Sequence, residues 1–179
     1  MRTMIAAALL VAMGLTGTAL AEDFTLSGKN TKIEFIGTKP QGKHNGGFET
    51  VTGKATAAAG DPTSLKLEVE IETASLYTDT PKLTTHLKSS DFFAIKDHPK
   101  AKFVSTKVEK AGDGYTVTGD LTLLGKTKSI SFPATVAVTA DELKLTSKFQ
   151  INRHDFGMSF GKGKVDDQVT LKVNLKAAK

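Results

Sequence analysis

Apolar and polar residues alternate along most of the chain, and this period of two is its clearest pattern. The segment Ser64–Thr73 reads SLKLEVEIET, so leucine, valine and isoleucine alternate with lysine and glutamate. Such alternation is typical of a β-strand with one buried face and one solvated face. The pattern returns at residues 115–123, 130–138, 143–151 and 169–175, and in weaker form at 33–36, 48–57 and 103–108. It predicts an all-β protein with about eight strands.

Turn signals separate these strands and indicate an antiparallel meander. They occur at Gly46-Gly47 and at residues 60–62, 112–114 and 125–126, where Gly, Asp and Pro favour tight turns. A sheet with one apolar face has to cover that face, either by forming a sandwich or by closing into a barrel. A barrel of about eight strands encloses an interior just wide enough for side chains or one slender ligand.

Residues 80–96 interrupt the alternation and predict a short helical insertion. Pro81 suits the first turn of a helix, and the residue before Pro99 disfavours helix, so the helical segment is short. Its apolar side chains are Leu83, Leu87, Phe92 and Phe93. They need a dry environment, and the mouth of a barrel would provide one. The insertion is therefore predicted to act as a plug or lid.

The first 21 residues have the features of a secretory signal peptide. Arg2 precedes an apolar run that ends in Ala19-Leu20-Ala21, the small-residue pattern cleaved by signal peptidase. The run is shorter than a membrane span of about 20 residues, which disfavours a retained membrane helix. We expect cleavage after Ala21, a periplasmic or secreted protein, and one domain formed by residues 22–179. The chain has no cysteine, so its fold depends on packing without disulfides.

The charged residues do not indicate a nucleic-acid-binding protein. The chain has 24 Lys and Arg residues against 19 Asp and Glu, a net charge of +5. The excess is spread along the strands, whereas a phosphate backbone is bound by basic clusters with interleaved aromatic residues. We therefore expect no nucleic acid partner. A mildly basic surface favours solubility and also transient contact with an anionic membrane surface.

The densest group of metal-ligating residue types lies in the insertion, at His86, Asp91, Asp97 and His98. No pair has the i, i+4 spacing of the histidines in a zinc-binding HExxH helix, and no thiolate is available. These residues are better explained as helix caps and as side chains that hydrogen-bond strand ends or face solvent. We expect no metal site and no cofactor.

Residues 151–160 read INRHDFGMSF and contain the Asp-Phe-Gly triplet of protein kinases. The chain lacks the glycine-rich phosphate loop and the HRD catalytic loop of kinases. The triplet is better explained as the end of a strand, with Arg153 paired to a carboxylate. We assign no catalytic residue and expect a protein that is not an enzyme. The alternative hypothesis is a catalytic or metal-binding barrel that acts on a lipid at its mouth.

Several motifs, in their order and spacing, resemble the YceI-like family over essentially all of residues 22–179. The longest are HLKSSDFF at residues 86–93, YTVTGDLT at 115–122, and Arg153 followed by Asp155–Gly157. The remaining matches are Ile33–Phe35, Gly47-Phe48, Ser75, Thr78, Pro99, Phe103, Ser105, Gly125 and Thr127. Each motif alone is loose, but together they are fairly specific.

The resemblance implies an exported, antiparallel, eight-stranded lipocalin-like barrel with a long apolar cavity. Its ligand would be a polyisoprenoid, a prenyl quinone or a fatty-acid-like lipid. The protein would act as a carrier or a reservoir of that ligand. Some relatives are associated with stress, and the resemblance also allows a homodimer. The predicted lining residues are Ile33, Phe35, Val69, Ile71, Leu83, Leu87, Phe92, Phe93, Phe103, Val117, Phe132 and Phe149. The predicted polar residues at the mouth are His86, Asp91, Arg153 and Asp155.

Three departures from known barrels narrow the expected ligand and the expected type of barrel. Members of the YceI-like family often carry an Arg-Asp pair where this chain has Leu83 and Thr84, so a ligand with a neutral head is favoured over a phosphate. An integral outer-membrane barrel would show similar alternation but needs aromatic girdles, and this chain has no Trp and two Tyr. The early Gly-x-Trp motif of true lipocalins is also missing.

Overall fold

A computed structural model describes residues 21–179, which form one curled antiparallel sheet and a short helix. The elements are β1 (Ala21–Ser27), β2 (Thr31–Lys39), β3 (Gly42–Phe48), β4 (Val51–Ala58), β5 (Asp61–Glu72), β6 (Leu76–Thr78), α1 (Pro81–Lys88), β7 (Lys100–Ala111), β8 (Gly114–Leu123), β9 (Lys126–Val138), β10 (Glu142–Asn152) and β11 (Gln168–Ala178). Two 3-10 turns occupy Thr73–Ser75 and Arg153–Phe156. The predicted signal peptide, residues 1–21, lies outside the described residues except for Ala21.

The all-β class, the antiparallel sheet and the helical insertion are confirmed, but the expected number of strands is wrong. Residues 21–179 contain eleven strands instead of eight. The additional strands are β1, β3 and β6. In β3 the sequence GKHNGGF has no apolar alternation, and β6 is only three residues long. Neither strand therefore carries a signal of period two.

Gly46 and Gly47 lie inside β3 and do not form the predicted turn. Both are buried, because the ring of Phe35 covers Gly46 and the ring of Tyr77 covers Gly47. A Cβ atom at Gly46 would lie 2.4 Å from the Phe35 ring and 2.5 Å from the Tyr77 carbonyl. Glycine is needed here for close approach of neighbouring groups, a role that composition alone does not distinguish from a turn.

Strand β9 joins two halves of the sheet, whose order is β1-β4-β5-β7-β8-β9-β10-β11-β2-β3-β6. Its residues 126–134 pair with β8, whereas residues 135–138 pair with β10. The β9–β10 ladder stops near Pro133, which has no N–H to donate. Beyond that point, the Ser147 hydroxyl donates to the Pro133 carbonyl at 2.5 Å, and Phe132 stacks on Phe149 with ring centroids 4.3 Å apart. Side-chain contacts therefore connect β9 to β10 where the backbone hydrogen bonds between them end.

One end of the interior is filled with protein atoms. It lies between strands β1, β4 and β5, the end of β7, the start of β8, the end of β9, the start of β10 and the end of β11. The most deeply buried large residues in this cluster are Phe24, Leu26, Val51, Val117, Leu143 and Leu145. Burial of such a side chain contributes about 1.5–3 kcal/mol. In the absence of disulfides, this packed end is the main source of stability.

The charged side chains of the strands lie on the outside of the sheet. Lys102 Nζ lies 2.6 Å from Glu68 Oε1, and Lys100 Nζ lies 2.5 Å from Glu70 Oε1. Apolar side chains from the same strands face the interior, opposite to the arrangement of an outer-membrane barrel. Within residues 21–179 the helix α1 is too short to cross a membrane.

The substitution Leu145→Ala tests the role of the filled end. Leu145 is 1% exposed, so truncation should leave a cavity and lower the free energy of unfolding by about 2–5 kcal/mol. Thr146→Ala, on the exposed face of the same strand, should change it by less than about 0.5 kcal/mol. Urea unfolding followed by circular dichroism measures both. Equal effects would show that this cluster is not the stabilising core.

Candidate functional site

The other end of the interior contains a cavity of about 270 Å³. Its walls come from most of β2, from β3, from the start of β7 and β11, from the end of β5, β8 and β10, and from the loop that follows β10. Helix α1 and the turn after it lie across the cavity. Most of the lining is apolar: Ile33, Phe35, Phe48, Ile71, Leu83, Leu87, Phe92, Phe93, Ala101, Leu121, Leu123, Ile151, Met158, Phe160, Val165, Val169 and Leu171. Such a surface favours an apolar guest over a charged one.

Seven of the twelve predicted lining residues lie on the cavity wall: Ile33, Phe35, Ile71, Leu83, Leu87, Phe92 and Phe93. The other five, Val69, Phe103, Val117, Phe132 and Phe149, belong to the filled end or pack against it. Leu83, Leu87, Phe92 and Phe93 were predicted from the apolar side of the helical insertion, and the other eight because alternation points them inward. Alternation fixes the face of the sheet but not the depth along the barrel axis, and so it cannot separate lining from core.

The helical insertion covers the cavity with its apolar side. The Thr80 hydroxyl accepts a hydrogen bond from the Leu83 N–H, and Pro81 occupies the first turn of α1. Leu83 and Leu87 from α1, with Phe92 and Phe93 from the next turn, pack into one cluster with Phe35 and Phe48. The Phe48 and Phe93 rings meet edge to face at 5.6 Å. The insertion is therefore part of the cavity wall.

His86 is the predicted polar residue that borders the cavity most openly. Its Nε2 lies 3.0 Å from Asp91 Oδ2, and its ring meets the Phe92 and Phe160 rings edge-on at 5.1 and 4.9 Å. Asp91 does not line the cavity. The carboxylate instead orients the imidazole among the aromatic rings. A polar group of a ligand could meet the pair only at the rim.

Arg153 makes the predicted pair with a carboxylate only at long distance, and backbone carbonyls are its main partners. Its side chain is 3% exposed, and its guanidinium donates to four backbone carbonyls at 2.7–3.2 Å: Met158, Phe160, Val165 and Asp166. The nearest carboxylate, that of Asp167, is 3.9 Å away. The guanidinium borders the cavity, but its hydrogen bonds go to the loop 157–167. Its main effect is to hold that loop in place.

The four predicted polar residues therefore do not form one catalytic group. Asp155 is exposed and lies outside the cavity wall, and no described residue donates a hydrogen bond to its side chain. His86 and Asp91 form one pair, and Arg153 serves the loop. Within residues 21–179, no three His, Cys, Asp or Glu side chains are placed to share a metal ion.

A second His-Asp pair lies at the rim, where the β2–β3 hairpin meets the segment before α1. His44, which lines the cavity, has its Nδ1 3.0 Å from Asp79 Oδ1. The Asn45 N–H also donates to Asp79. The hydrogen bond from His44, helped by the one from Asn45, holds the pKa of Asp79 below its ordinary value. Asp79 is thus ionised at neutral pH and ties the hairpin to the insertion.

The model of the YceI-like domain family matches residues 24–177. The chain belongs to the YceI-like family. A UPF0312 protein of Pseudomonas putida strain W619 is 30% identical, over 99% of this chain and 97% of that protein. A UPF0312 protein of Pseudomonas savastanoi pv. phaseolicola strain 1448A is 36% identical over 75% of this chain and 72% of that protein. The family assignment made from the motifs is confirmed.

Solved structures show the same YceI-like fold. BcnA of Burkholderia cenocepacia is 25% identical and superimposes with a TM-score of 0.75 over 82% of this chain and 96% of that chain. The YCEI protein of Campylobacter jejuni is 26% identical, with a TM-score of 0.66 over 75% and 84% of the two chains. A polyisoprenoid binding domain from Saccharophagus degradans has a TM-score of 0.69 over 89% and 99%, at 13% identity. This last likeness concerns the fold alone.

Sequence reasoning left out two kinds of lining residue in this YceI-like domain. Leu121, Leu123, Ile151, Val169 and Leu171 belong to alternating segments, so their inward phase was available as a signal. Phe48 and Ala101 were missed as well, and Met158, Phe160 and Val165 lie on the loop that Arg153 organises. That loop has no periodicity, and only its folded path places these residues at the cavity.

Arg153→Met tests whether the guanidinium holds the loop at the mouth. The substitution keeps an unbranched apolar stem but removes the donors to four carbonyls. Since each buried orphaned acceptor costs about 1–3 kcal/mol, the free energy of unfolding should fall by roughly 3 kcal/mol or more. Lys148→Met removes an exposed cation and should change it by less than about 0.5 kcal/mol. Urea unfolding measures stability, and limited proteolysis should cut residues 157–167 faster in the first variant. Unchanged stability and cleavage would show that the loop does not need Arg153.

Proposed function

We propose that this protein is an exported binding protein that holds the apolar tail of an amphiphile, as a carrier or a reservoir. The observation that carries the proposal is the apolar cavity at the open end, next to a filled end that needs no ligand. The ligand class is a polyisoprenoid, a prenyl quinone or a fatty-acid-like lipid. The polyisoprenoid binding domain of Saccharophagus degradans, which shares the fold, supports this class.

The size and lining of the cavity favour partial enclosure of a ligand. A volume of about 270 Å³ lies just below the range of ~300–1,000 Å³ typical of ligand pockets. It accommodates a segment of a chain, and a long tail would extend through the mouth. Each buried methylene contributes about 0.8 kcal/mol, so a segment can be held without strong polar contacts. The head group would lie at the rim near His86 and His44. The buried guanidinium of Arg153 also borders the cavity, but its hydrogen bonds go to backbone carbonyls of the loop 157–167.

We propose binding without catalysis. The imidazoles of His44, His86 and His154 each face an aspartate at 2.6–3.0 Å. Within residues 21–179 none of these imidazoles is hydrogen-bonded to a serine, threonine or lysine side chain that it could activate as a nucleophile. Transient contact with a membrane surface belongs to the proposed carrier role. A homodimer stays a prediction, which light scattering of the mature protein would test.

Leu171→Trp tests the proposed binding site. Leu171 lies on the cavity wall, so an indole there should occupy the space of the guest and weaken binding of a prenyl quinone by roughly tenfold or more. Lys172→Trp adds the same group on the opposite face of β11 and should leave affinity unchanged. Fluorescence titration with a short-chain prenyl quinone measures both, after thermal unfolding has shown that each variant folds.

The natural ligand can be identified by mass spectrometry of solvent extracts. Protein expressed with its first 21 residues should yield a prenyl or long-chain lipid, and the Leu171→Trp variant should yield much less. Material that is consistently free of lipid, and that also rejects prenyl quinones in the titration, would contradict the proposed function.

Export is tested by the mass of the purified protein and by cell fractionation. A protein cleaved after Ala21 starts at Glu22, and it should be found in the periplasmic or secreted fraction without detergent. A substitution of Ala19 by a large charged residue should block cleavage, since signal peptidase requires a small side chain there. A full-length protein in the cytoplasm would contradict export but would leave the ligand-binding proposal standing.

A further inference from the structure

An exposed aromatic side chain lies at the mouth of the cavity. Phe160 is 44% exposed, more than any other large hydrophobic residue in the described part of the chain. One side of its ring contacts His86 and Phe92, with centroids 4.9 and 5.4 Å away, and it also lines the cavity. The rest of the ring faces outward. A half-exposed aromatic ring beside an apolar opening is the type of group found at membrane–water interfaces.

Four exposed lysines lie on the two segments that flank this ring. Lys39 and Lys43 are on the β2–β3 hairpin, and Lys162 and Lys164 are on the loop between Phe160 and Val165. Among residues 21–179 none of these four has a carboxylate partner within 4.0 Å. Several lysines on the strands are paired, as Lys100 and Lys102 are. The rim therefore presents ammonium groups that have no internal partner.

Four carboxylates near the same rim have local hydrogen-bond donors. Asp79 faces His44, Asp91 faces His86, and Asp167 faces His154. Asp166 accepts a hydrogen bond from the Thr38 hydroxyl at 2.5 Å. These four carboxylates thus face local donors, whereas Asp97, Asp155 and the four lysines are exposed.

The overall charge is also uneven between the mouth and the rest of the barrel. Residues 38–44, 79–98, 124–126 and 153–167 carry nine Lys or Arg against six Asp. The remainder of residues 21–179 carries fourteen basic residues against thirteen acidic ones. Most of the net positive charge is therefore located around the opening, next to the exposed phenylalanine.

We propose that the mouth docks on the surface of an anionic phospholipid bilayer. Phe160 enters the boundary between head groups and acyl chains, and Lys39, Lys43, Lys162 and Lys164 lie over the lipid phosphates. This inference rests on the proposed function, because docking there lets an apolar tail pass between bilayer and cavity without crossing water. Four lysines and one ring give weak, salt-sensitive and reversible binding, which suits a carrier.

Sedimentation with lipid vesicles tests the docking surface in the absence of added ligand. The mature protein should bind vesicles that contain phosphatidylglycerol roughly tenfold or more tightly than vesicles of phosphatidylcholine alone, and added salt should reduce the difference. The double variant Lys162→Glu with Lys164→Glu should lose most of this preference. Phe160→Ser should weaken the binding that persists at high salt. Equal binding to both kinds of vesicle would overturn the proposal.

A matched control separates docking at the mouth from a general charge effect. The double variant Lys148→Glu with Lys172→Glu changes the net charge equally but lies on exposed positions of β10 and β11. It should keep the preference for phosphatidylglycerol, and equal losses in both double variants would refute a specific surface. Thermal unfolding checks that all variants fold. The Leu171→Trp variant should still dock, so a failure of docking and a failure of ligand binding are read separately.

Discussion

Packing at one end of a curled sheet is the constraint on which the rest of this structure depends. The chain has no cysteine, so backbone ladders and buried side chains hold the curled sheet together without disulfides. An empty volume such as the cavity forfeits contacts among its lining atoms, and the net stability of a domain is small. The filled end around Val117, Leu143 and Leu145 compensates for that loss. A hollow end can therefore exist without a ligand, and a ligand that fills it would add stability.

Polar side chains at the mouth of the cavity hold backbone segments in place. The buried Arg153 donates to carbonyls along a loop that has no regular structure, and this satisfies groups that would otherwise be buried without partners. The imidazoles of His44 and His86 are likewise paired with aspartates from neighbouring segments. Residues that resemble a catalytic set in the sequence are thus largely structural. Their arrangement leaves the cavity apolar up to its rim.

At the rim of the cavity, the paired aspartates differ from the lysines, which face solvent. Local donors hold four aspartates of the mouth, whereas the four lysines of the rim are exposed and have no carboxylate partner among residues 21–179. An apolar interior, an aromatic rim and a basic border follow one another over a short distance. This order matches the layers of a lipid monolayer, from acyl chains to anionic head groups, and links a binding cavity to a surface from which a ligand could be taken.

The sequence alone determined the all-β class, the inward face of each strongly alternating strand, and the helical insertion, because these depend on local periodicity and on proline. The order and spacing of its motifs also indicated the family. Only the tertiary structure decided how far along the barrel axis each inward-facing residue lies. Val69 and Ile71 share one face of β5, yet Val69 packs in the core and Ile71 lines the cavity. The partner change in β9 and the place of Phe160 were likewise set by how distant strands and loops meet. Side-chain alternation records a direction, whereas a cavity depends on how the sheet curls.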